Sequence, residues 1–293
     1  MTSRKLKTNL CGLLAIFFFA TSFPLSRIAL EYFGPYTLGF LRCIITGLLF
    51  AIVGICNKIK IPRKPRDILL LLLSGAAGFG LYLFFFNKGI QTITSATSSI
   101  ISSTSPLMVA GAAAFFYKEK ISVIGVFALV TAFCGVLIMI LWAGIFSINV
   151  GVVWTFIAAL LAAAYSLLNR ALSRIAYGSI EIVTYSMLFG ALVLAPVSMQ
   201  SVHEVMQADA RQLAVLLLLS VFPSGLGYFF LSKGIQIAEK TTEVTNYIFA
   251  MPLLATMLGY VMLGETLNSG TVIGGLLIVT GITLFVYKGA AKS

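Results

Sequence analysis

The feature that most constrains this sequence is its series of long apolar runs, each close to the length of a membrane span. A helix that crosses the hydrocarbon core of a bilayer needs about 20 predominantly apolar residues. Each run is predicted to be helical, because lipid offers no water to hydrogen-bond with free peptide groups. Ten such runs can be drawn along the chain, at 10–30, 35–56, 68–90, 96–117, 121–142, 150–169, 180–199, 212–232, 243–263 and 270–287.

The composition supports this interpretation. Of the 293 residues, 59% are hydrophobic and 10% are charged, whereas soluble domains average about 45–50% and about 25%. Ten spans occupy roughly 200–220 residues, which leaves too little chain for a separate soluble domain. The sequence therefore predicts an all-α polytopic membrane protein.

Lysine and arginine positions predict the orientation of the spans. The net charge of +11 is distributed between the apolar runs rather than along one face, which favours membrane topology over nucleic-acid binding. With the N-terminus in the cytoplasm, the outer loops and the spans keep few basic residues, namely Arg27, Arg42, Lys88 and Arg211. Because basic residues concentrate in cytoplasmic loops, both termini are predicted to be cytoplasmic.

The chain also resembles itself at an offset of about 145 residues. Segment 84–91 (Phe-Phe-Phe-Asn-Lys-Gly-Ile-Gln) aligns with segment 229–236 (Phe-Phe-Leu-Ser-Lys-Gly-Ile-Gln), and Pro106 aligns with Pro252. An ordered series of matches at a nearly constant offset indicates an internal duplication.

Five spans per copy place the second copy in the opposite orientation, because an odd number of crossings ends on the other side of the membrane. We therefore predict ten transmembrane helices in two inverted five-helix repeats, at 10–142 and 150–288. Many secondary transporters are built in this way, with the substrate site near the midplane between the halves.

Both copies carry a small-residue stretch, a Pro-Leu pair and a terminal glutamate: Ser95, Pro106-Leu107 and Glu119, then Thr241, Pro252-Leu253 and Gly264-Glu265. This pattern, over roughly residues 10–288, resembles the EamA family of the drug/metabolite transporter superfamily, and Arg42 matches an arginine common in that family. The resemblance implies a ten-helix permease of the cytoplasmic (inner or plasma) membrane, often one that exports amino acids or related metabolites. It does not define the cargo.

Prolines inside the spans are predicted hinges, because proline lacks an N–H and frees the carbonyl four residues before it. The candidates are Pro24, Pro106, Pro223 and Pro252. The carbonyls freed by Pro106 and Pro252 would add polar backbone to a central cavity. Kinks without a role in gating are the alternative, since proline is common in membrane helices.

Polar residues of the fourth span are predicted to line this cavity, since Ser95, Ser98, Ser102 and Ser105 share one helical face. Their hydroxyls either solvate a polar substrate or hydrogen-bond between packed helices, and both interpretations stay open. In the ninth span, the Asn246 amide must find hydrogen-bond partners in the lipid environment. A substrate contact and an interhelical hydrogen bond both stay open for it. The other candidates are Tyr82, Tyr228, Thr245, Tyr247 and Phe249.

Two basic side chains fall within spans. Arg42 lies about 10 Å into the second span by helical rise. It could have a functional role with Glu31 as its partner, but snorkelling of its side chain to the surface is the simpler explanation. Lys88, near the outer end of the third span, is a candidate for attracting an anionic cargo but is better explained as interfacial.

Small residues line one face of the fifth span and one face of the tenth, which predicts a structural role for these two helices. Small residues allow close helix approach, so the two helices are expected to pack together behind the cavity. The residues are Gly125, Ala128, Ala132 and Gly135 in one span and Gly270, Gly274 and Gly281 in the other.

No sequence motif predicts catalysis, a cofactor or a metal site. We expect a non-enzyme without cofactors, whose partners are a small-molecule substrate, the lipid bilayer and, if transport is coupled, a proton or other ion; a monomer suffices. The leading hypothesis is a secondary permease that exports a small polar or amphipathic metabolite, such as an amino acid. The alternatives are multidrug or lipophilic-cation efflux and a non-transport membrane protein.

Overall fold

The structure, a computed structural model, describes residues 3–117, 122–142, 149–239 and 241–284, and every regular element in these ranges is helical. The α-helices are α1 Ser3–Ala29, α2 Pro35–Cys56, α3 Pro65–Gly75, α4 Leu81–Ile90, α5 Ser95–Ser102, α6 Ser105–Tyr117, α7 Val123–Leu141, α8 Val150–Arg174, α9 Ser179–Leu194, α10 Ser201–Gln207, α11 Ala210–Leu219, α12 Tyr228–Ile237, α13 Thr242–Thr245, α14 Met251–Leu263 and α15 Ser269–Leu284.

Several helical stretches have the length and apolar character of membrane spans. Helix α2 coincides with the predicted run 35–56. Helix α1 begins before its predicted start and α8 continues past its predicted end, because polar residues extend both helices. Shorter apolar stretches lie in α7 and α15. Within the described ranges, seven stretches are long and apolar enough to cross a membrane: Arg4–Ala29, Pro35–Cys56, Pro65–Ile90, Val150–Arg174, Ser179–Val197, Ala210–Ile237 and Glu243–Leu263.

Two of these stretches contain a π-helical segment. Ala76–Gly80 joins α3 to α4, and Ser220–Gly227 joins α11 to α12, at about the offset of the sequence similarity. In the first segment, a Cβ at Gly78 would lie 2.2 Å from the ring of Tyr165, so glycine allows α8 to approach. The second contains Pro223, which has no N–H for a regular helical hydrogen bond. Such π-helical turns are often found at functional sites.

The stretches that contain Pro106 and Pro252 are interrupted just before each proline. A turn separates α5 from α6, and a 3-10 turn, Asn246–Ala250, precedes α14. Each proline then lies in the first turn of the next helix, where its missing N–H leaves no carbonyl of that helix unpaired. The Ser103 hydroxyl oxygen lies 2.8 Å from the Ser99 carbonyl oxygen and 3.2 Å from that of Ile248, so the two interruptions are in direct contact. By contrast, Pro24 lies inside the continuous helix α1.

Helices α7 and α15 pack against each other, which confirms the prediction for the fifth and tenth spans. A Cβ at Gly135 would lie 2.5 Å from the Gly274 carbonyl oxygen, and one at Gly281 would lie 2.5 Å from that of Ala128. Because lipid removes the hydrophobic drive between helices, such close backbone packing is what holds them together. The large apolar side chains exposed on these two helices, among them Phe127, are positioned to face lipid.

Candidate functional site

A cavity lies between helices from the first and second halves of the chain, beside both helix interruptions. Its volume of about 60 Å³ is enough for a few water molecules. A larger metabolite can enter only if the walls separate. The lining is Phe19, Ser22, Phe23, Arg42, Tyr82, Phe86, Ser102, Ser105, Ala159, Ala162, Tyr165, Ser166, Pro223, Tyr228, Leu231, Ile248 and Met251.

Aromatic rings form much of the cavity wall. The ring centroid of Tyr228 lies 4.9 Å from that of Phe19 and 5.4 Å from that of Tyr165, both in edge-to-face geometry. Tyr82 stacks on Phe86 at 5.7 Å. Aromatic pairs of this kind contribute about 0.5–1.5 kcal/mol each beyond the area they bury. Both predicted tyrosines, Tyr82 and Tyr228, therefore belong to an ordered apolar wall.

Arg42 from α2 is the one charged side chain in the lining that the structure describes, and it is 2% exposed. Its guanidinium donates from Nε to the Ser224 hydroxyl at 3.0 Å, from Nη1 to Ser26 at 3.2 Å and from Nη2 to Ser22 at 3.2 Å. Ser22 and Ser26 lie one turn apart on α1, and Ser224 belongs to the second π-helical segment. Neutral hydroxyls from two elements thus hold the cation in place.

These contacts correct the sequence-based interpretation of Arg42. Snorkelling is wrong, because the side chain is buried. Pairing with Glu31 is also wrong, because Glu31 is exposed and makes no ion pair with any described residue. The physical reason is that serine hydroxyls accept hydrogen bonds from the guanidinium inside the protein, so it has no need to reach the surface.

The serine stripe of the fourth span is divided between two environments. Ser102 and Ser105 line the cavity. Ser98 is fully buried outside the lining, and its hydroxyl has no hydrogen-bond partner among the described residues. Ser95 hydrogen-bonds with Glu265 instead. The division follows the length of α5, because Ser95 lies at its start and Ser102 at its end, about 10 Å farther along the helix axis.

The ninth span also differs from its predicted arrangement. Ile248 and Met251 line the cavity, Tyr247 packs against Gly12 of α1, and the Thr245 hydroxyl donates to the Thr241 carbonyl. The 3-10 turn has three residues per turn rather than 3.6, which changes the residues that point inward. Within the described chain the cavity lining does not include Thr245, Asn246 or Tyr247, and the side chain of Phe249 lies outside the described part.

A second arginine lies near the end of α1 and has an anionic partner. Arg27 Nη1 is 3.0 Å from Glu265 Oε1 and also donates to the Ile93 carbonyl at 2.9 Å. The two oxygens of Glu265 accept the Ser95 N–H at 2.8 Å and the Ser95 hydroxyl at 3.0 Å. We call Arg27, Ile93, Ser95 and Glu265 the terminal cluster. Glu119, which aligns with Glu265, lies outside the described residues.

Arg170 is the counterpart of Arg27 in the second copy, since Leu168-Asn169-Arg170 resembles Leu25-Ser26-Arg27. It likewise donates to backbone carbonyls, those of Ile235 at 2.7 Å and Ala238 at 2.9 Å. Lys88 is half-buried outside the cavity lining, with its Nζ 5.7 Å from the ring centroid of Tyr36. This cation–π geometry fits an interfacial lysine.

Sequence reasoning missed the cavity residues of α1 and α8, among them Ser22, Tyr165 and Ser166. A signal was present in α1, because Ser22 and Ser26 are spaced by one helical turn in a largely apolar run. Tyr165 carried no comparable signal, because one tyrosine in an apolar helix is typical of packing.

Known proteins are similar to this chain in sequence and in fold. An uncharacterized transporter of Archaeoglobus fulgidus is 26% identical over 94% of this chain and 97% of its own length. A probable terminal-alkyne amino-acid exporter of Streptantibioticus cattleyicolor is 25% identical over 92% and 90%. One crystal structure, 19% identical, superimposes with a TM-score of 0.67 over 97% of this chain and 99% of the other, which shows a shared fold.

The family relationship covers nearly the whole chain. Residues 6–141 and residues 149–287 each match the model of the EamA-like transporter family. Together with the apolar helices, these matches show that the chain is a multi-pass integral membrane protein that belongs to the EamA-like transporter family.

Proposed function

We propose that this transporter is a ten-helix secondary permease made of two inverted five-helix repeats, residues 10–142 and 150–288, with both termini in the cytoplasm. Two successive matches to one family model support the repeats. The paired π-helical segments and paired interruptions before Pro106 and Pro252 support them too, because equivalent irregularities recur at about the same offset. The distribution of basic residues supports the orientation.

The observation that carries the proposal is the position of the cavity. It is bounded by both halves of the chain and lies where the interrupted helices meet, as expected of a transporter that opens alternately to each side. The substrate is a small polar or amphipathic metabolite, such as an amino acid or a related compound, exported across the cytoplasmic membrane. The name of the Streptantibioticus relative supports this substrate class, and the names of the relatives favour transport over catalysis.

Counterflow in reconstituted vesicles tests the proposal. Vesicles containing the purified protein are loaded with an unlabelled metabolite panel and exposed to the same compounds in labelled form. We expect saturable, protein-dependent accumulation of at least one amino acid or related acid. Absence of saturable flux for every compound would remove the permease assignment, and carriage of lipophilic cations alone would replace it with cation efflux.

The proposed hinges are tested by replacing Pro106 and Pro252 with alanine together. Alanine restores an N–H, which favours continuous helices in place of the two interruptions. We expect transport to slow by roughly tenfold while substrate binding is retained, because the change affects the movement of the two halves rather than contacts with the substrate. The matched control is Pro196→Ala, at an exposed 3-10 turn after α9. Unchanged transport in the double variant would contradict the hinge assignment.

A further inference from the structure

We infer that Arg42 binds the carboxylate of the transported molecule, and that the site recognises an organic acid with an apolar body whether or not an amino group is present. This inference rests on the proposed function and specifies the substrate class of the same cavity. Its first support is the charge balance. The ion pairs among the described residues are Arg4 with Glu239 and Arg27 with Glu265, and neither involves Arg42. A buried cation at membrane depth is costly unless an anion compensates it.

The second support is the hydrogen bonding of the guanidinium. Arginine carries five N–H donors, and three serine hydroxyls accept from Arg42. The remaining donors, one on Nη1 and one on Nη2, have no acceptor in the part of the chain that the structure describes. An arginine fork of this kind matches the two oxygens of a carboxylate. The serines hold the fork in position before a ligand arrives.

The third support is what the lining offers to the rest of the ligand. One guanidinium balances one negative charge, which suits a carboxylate better than a phosphate dianion. The aromatic wall of Phe19, Tyr82, Tyr165 and Tyr228 suits an apolar body. The described lining contains no carboxylate that would pair with an ammonium group, and its other polar groups are hydroxyls such as those of Ser102 and Ser166. An amino group on the ligand is therefore expected to contribute little.

Matched ligands separate these contributions. The probes are phenylalanine, 3-phenylpropanoate and phenethylamine, with equivalent triplets built on leucine and alanine. Binding is measured as thermal stabilisation of the purified protein, because a ligand raises stability only if it binds the folded state. Within a triplet that binds, we expect the amino acid and the deaminated acid to compete within about threefold of each other and the amine to be at least about 30-fold weaker.

Variants then assign the effect to Arg42. Arg42→Gln is expected to lose the preference for acid over amine, and Arg42→Lys to keep part of it, because lysine retains the charge without the fork. The control is Arg211→Gln, which removes an exposed arginine outside the lining. If Arg42→Gln does not fold, the ligand preference of the wild-type protein still decides the question.

The outcomes of the two proposals are distinguishable. Amines that bind or are carried as well as their acids, chloride that stabilises as strongly as any acid, or an unchanged preference in a folded Arg42→Gln protein would each overturn the carboxylate assignment while transport stands. Absence of flux for every compound would instead overturn the permease proposal. Stabilisation that follows the carboxylate in the wild type and disappears in Arg42→Gln supports the inference.

Discussion

Arg27 and Arg42 lie in consecutive helices of the chain, α1 and α2, yet their surroundings differ in one decisive respect. Arg27 is about one-third exposed and has its own carboxylate, Glu265, at 3.0 Å. Arg42 is buried and contacts the hydroxyls of Ser22, Ser26 and Ser224. The first cation is therefore neutralised within the protein, whereas the second is only solvated.

This difference indicates different roles. An internal ion pair fixes the elements that carry its two partners, so the terminal cluster ties the end of α1 to the start of α5 and to the segment after α14. A solvated but uncompensated cation beside a cavity retains affinity for a mobile anion. In the proposed orientation both arginines lie toward the outer side, where an exported anion would leave.

The strongest way to break this comparison is to give Arg42 its own carboxylate. Ser22→Asp places an anion beside Nη2, where Ser22 now accepts a hydrogen bond. An anion within the site is present at a far higher effective concentration than a dissolved ligand. We expect the affinity for carboxylate ligands to fall by at least about 30-fold, measured by thermal stabilisation and counterflow.

The control for this prediction is Ser22→Asn, which adds similar volume without charge. It is expected to weaken binding far less than Ser22→Asp. Equal losses in the two variants would mean that the added volume blocks the cavity, and unchanged binding in Ser22→Asp would mean that Arg42 does not receive the ligand.

The converse change removes the anion from the terminal cluster. Glu265→Gln leaves Arg27 without its ion pair, and we expect the free energy of unfolding in detergent to fall by about 2 kcal/mol, less than for a fully buried pair because Arg27 is partly exposed. The preference for acid over amine should not change, because Glu265 is not in the cavity lining. Glu243→Gln, at an exposed carboxylate, is the control. If Glu265→Gln lost the preference for acid over amine and kept its stability, the roles assigned to Arg27 and Arg42 would be reversed.

The sequence predicted an all-helical chain with long apolar helices, seven of which in the described ranges are long enough to cross a membrane, because length and apolar character are properties of whole segments. The packing of α7 with α15 was also predictable, since Gly135 and Gly281 reveal close backbone contact. The surroundings of Arg42 were not predictable, because Ser224 comes from a distant part of the chain and lies in a π-helical segment. The 3-10 turn likewise displaced the candidates of the ninth span, because the prediction assumed α-helical periodicity.

A smaller effect is expected where one supporting hydroxyl of Arg42 is removed. Ser224→Ala eliminates the acceptor for Nε but leaves the charge and the contacts with Ser22 and Ser26 in place. We expect carboxylate binding to weaken by about fivefold, the equivalent of one hydrogen bond, with the preference for acid over amine retained. Ser220→Ala is the control in the same segment, since that hydroxyl bonds to its own helix. An increase in carboxylate affinity would show that Ser224 competes with the ligand.

The smallest effect is expected at Ser95, on the other side of the comparison. Ser95→Ala removes the hydroxyl that donates to Glu265 Oε1, but the Ser95 N–H still donates to Oε2 and the ion pair with Arg27 remains. We expect a loss of about 0.5–1 kcal/mol in the free energy of unfolding and no change in ligand preference. Ser99→Ala, whose hydroxyl bonds within α5, is the control. A loss as large as that of Glu265→Gln would show that the hydroxyl, rather than the charge on Glu265, holds the terminal cluster together.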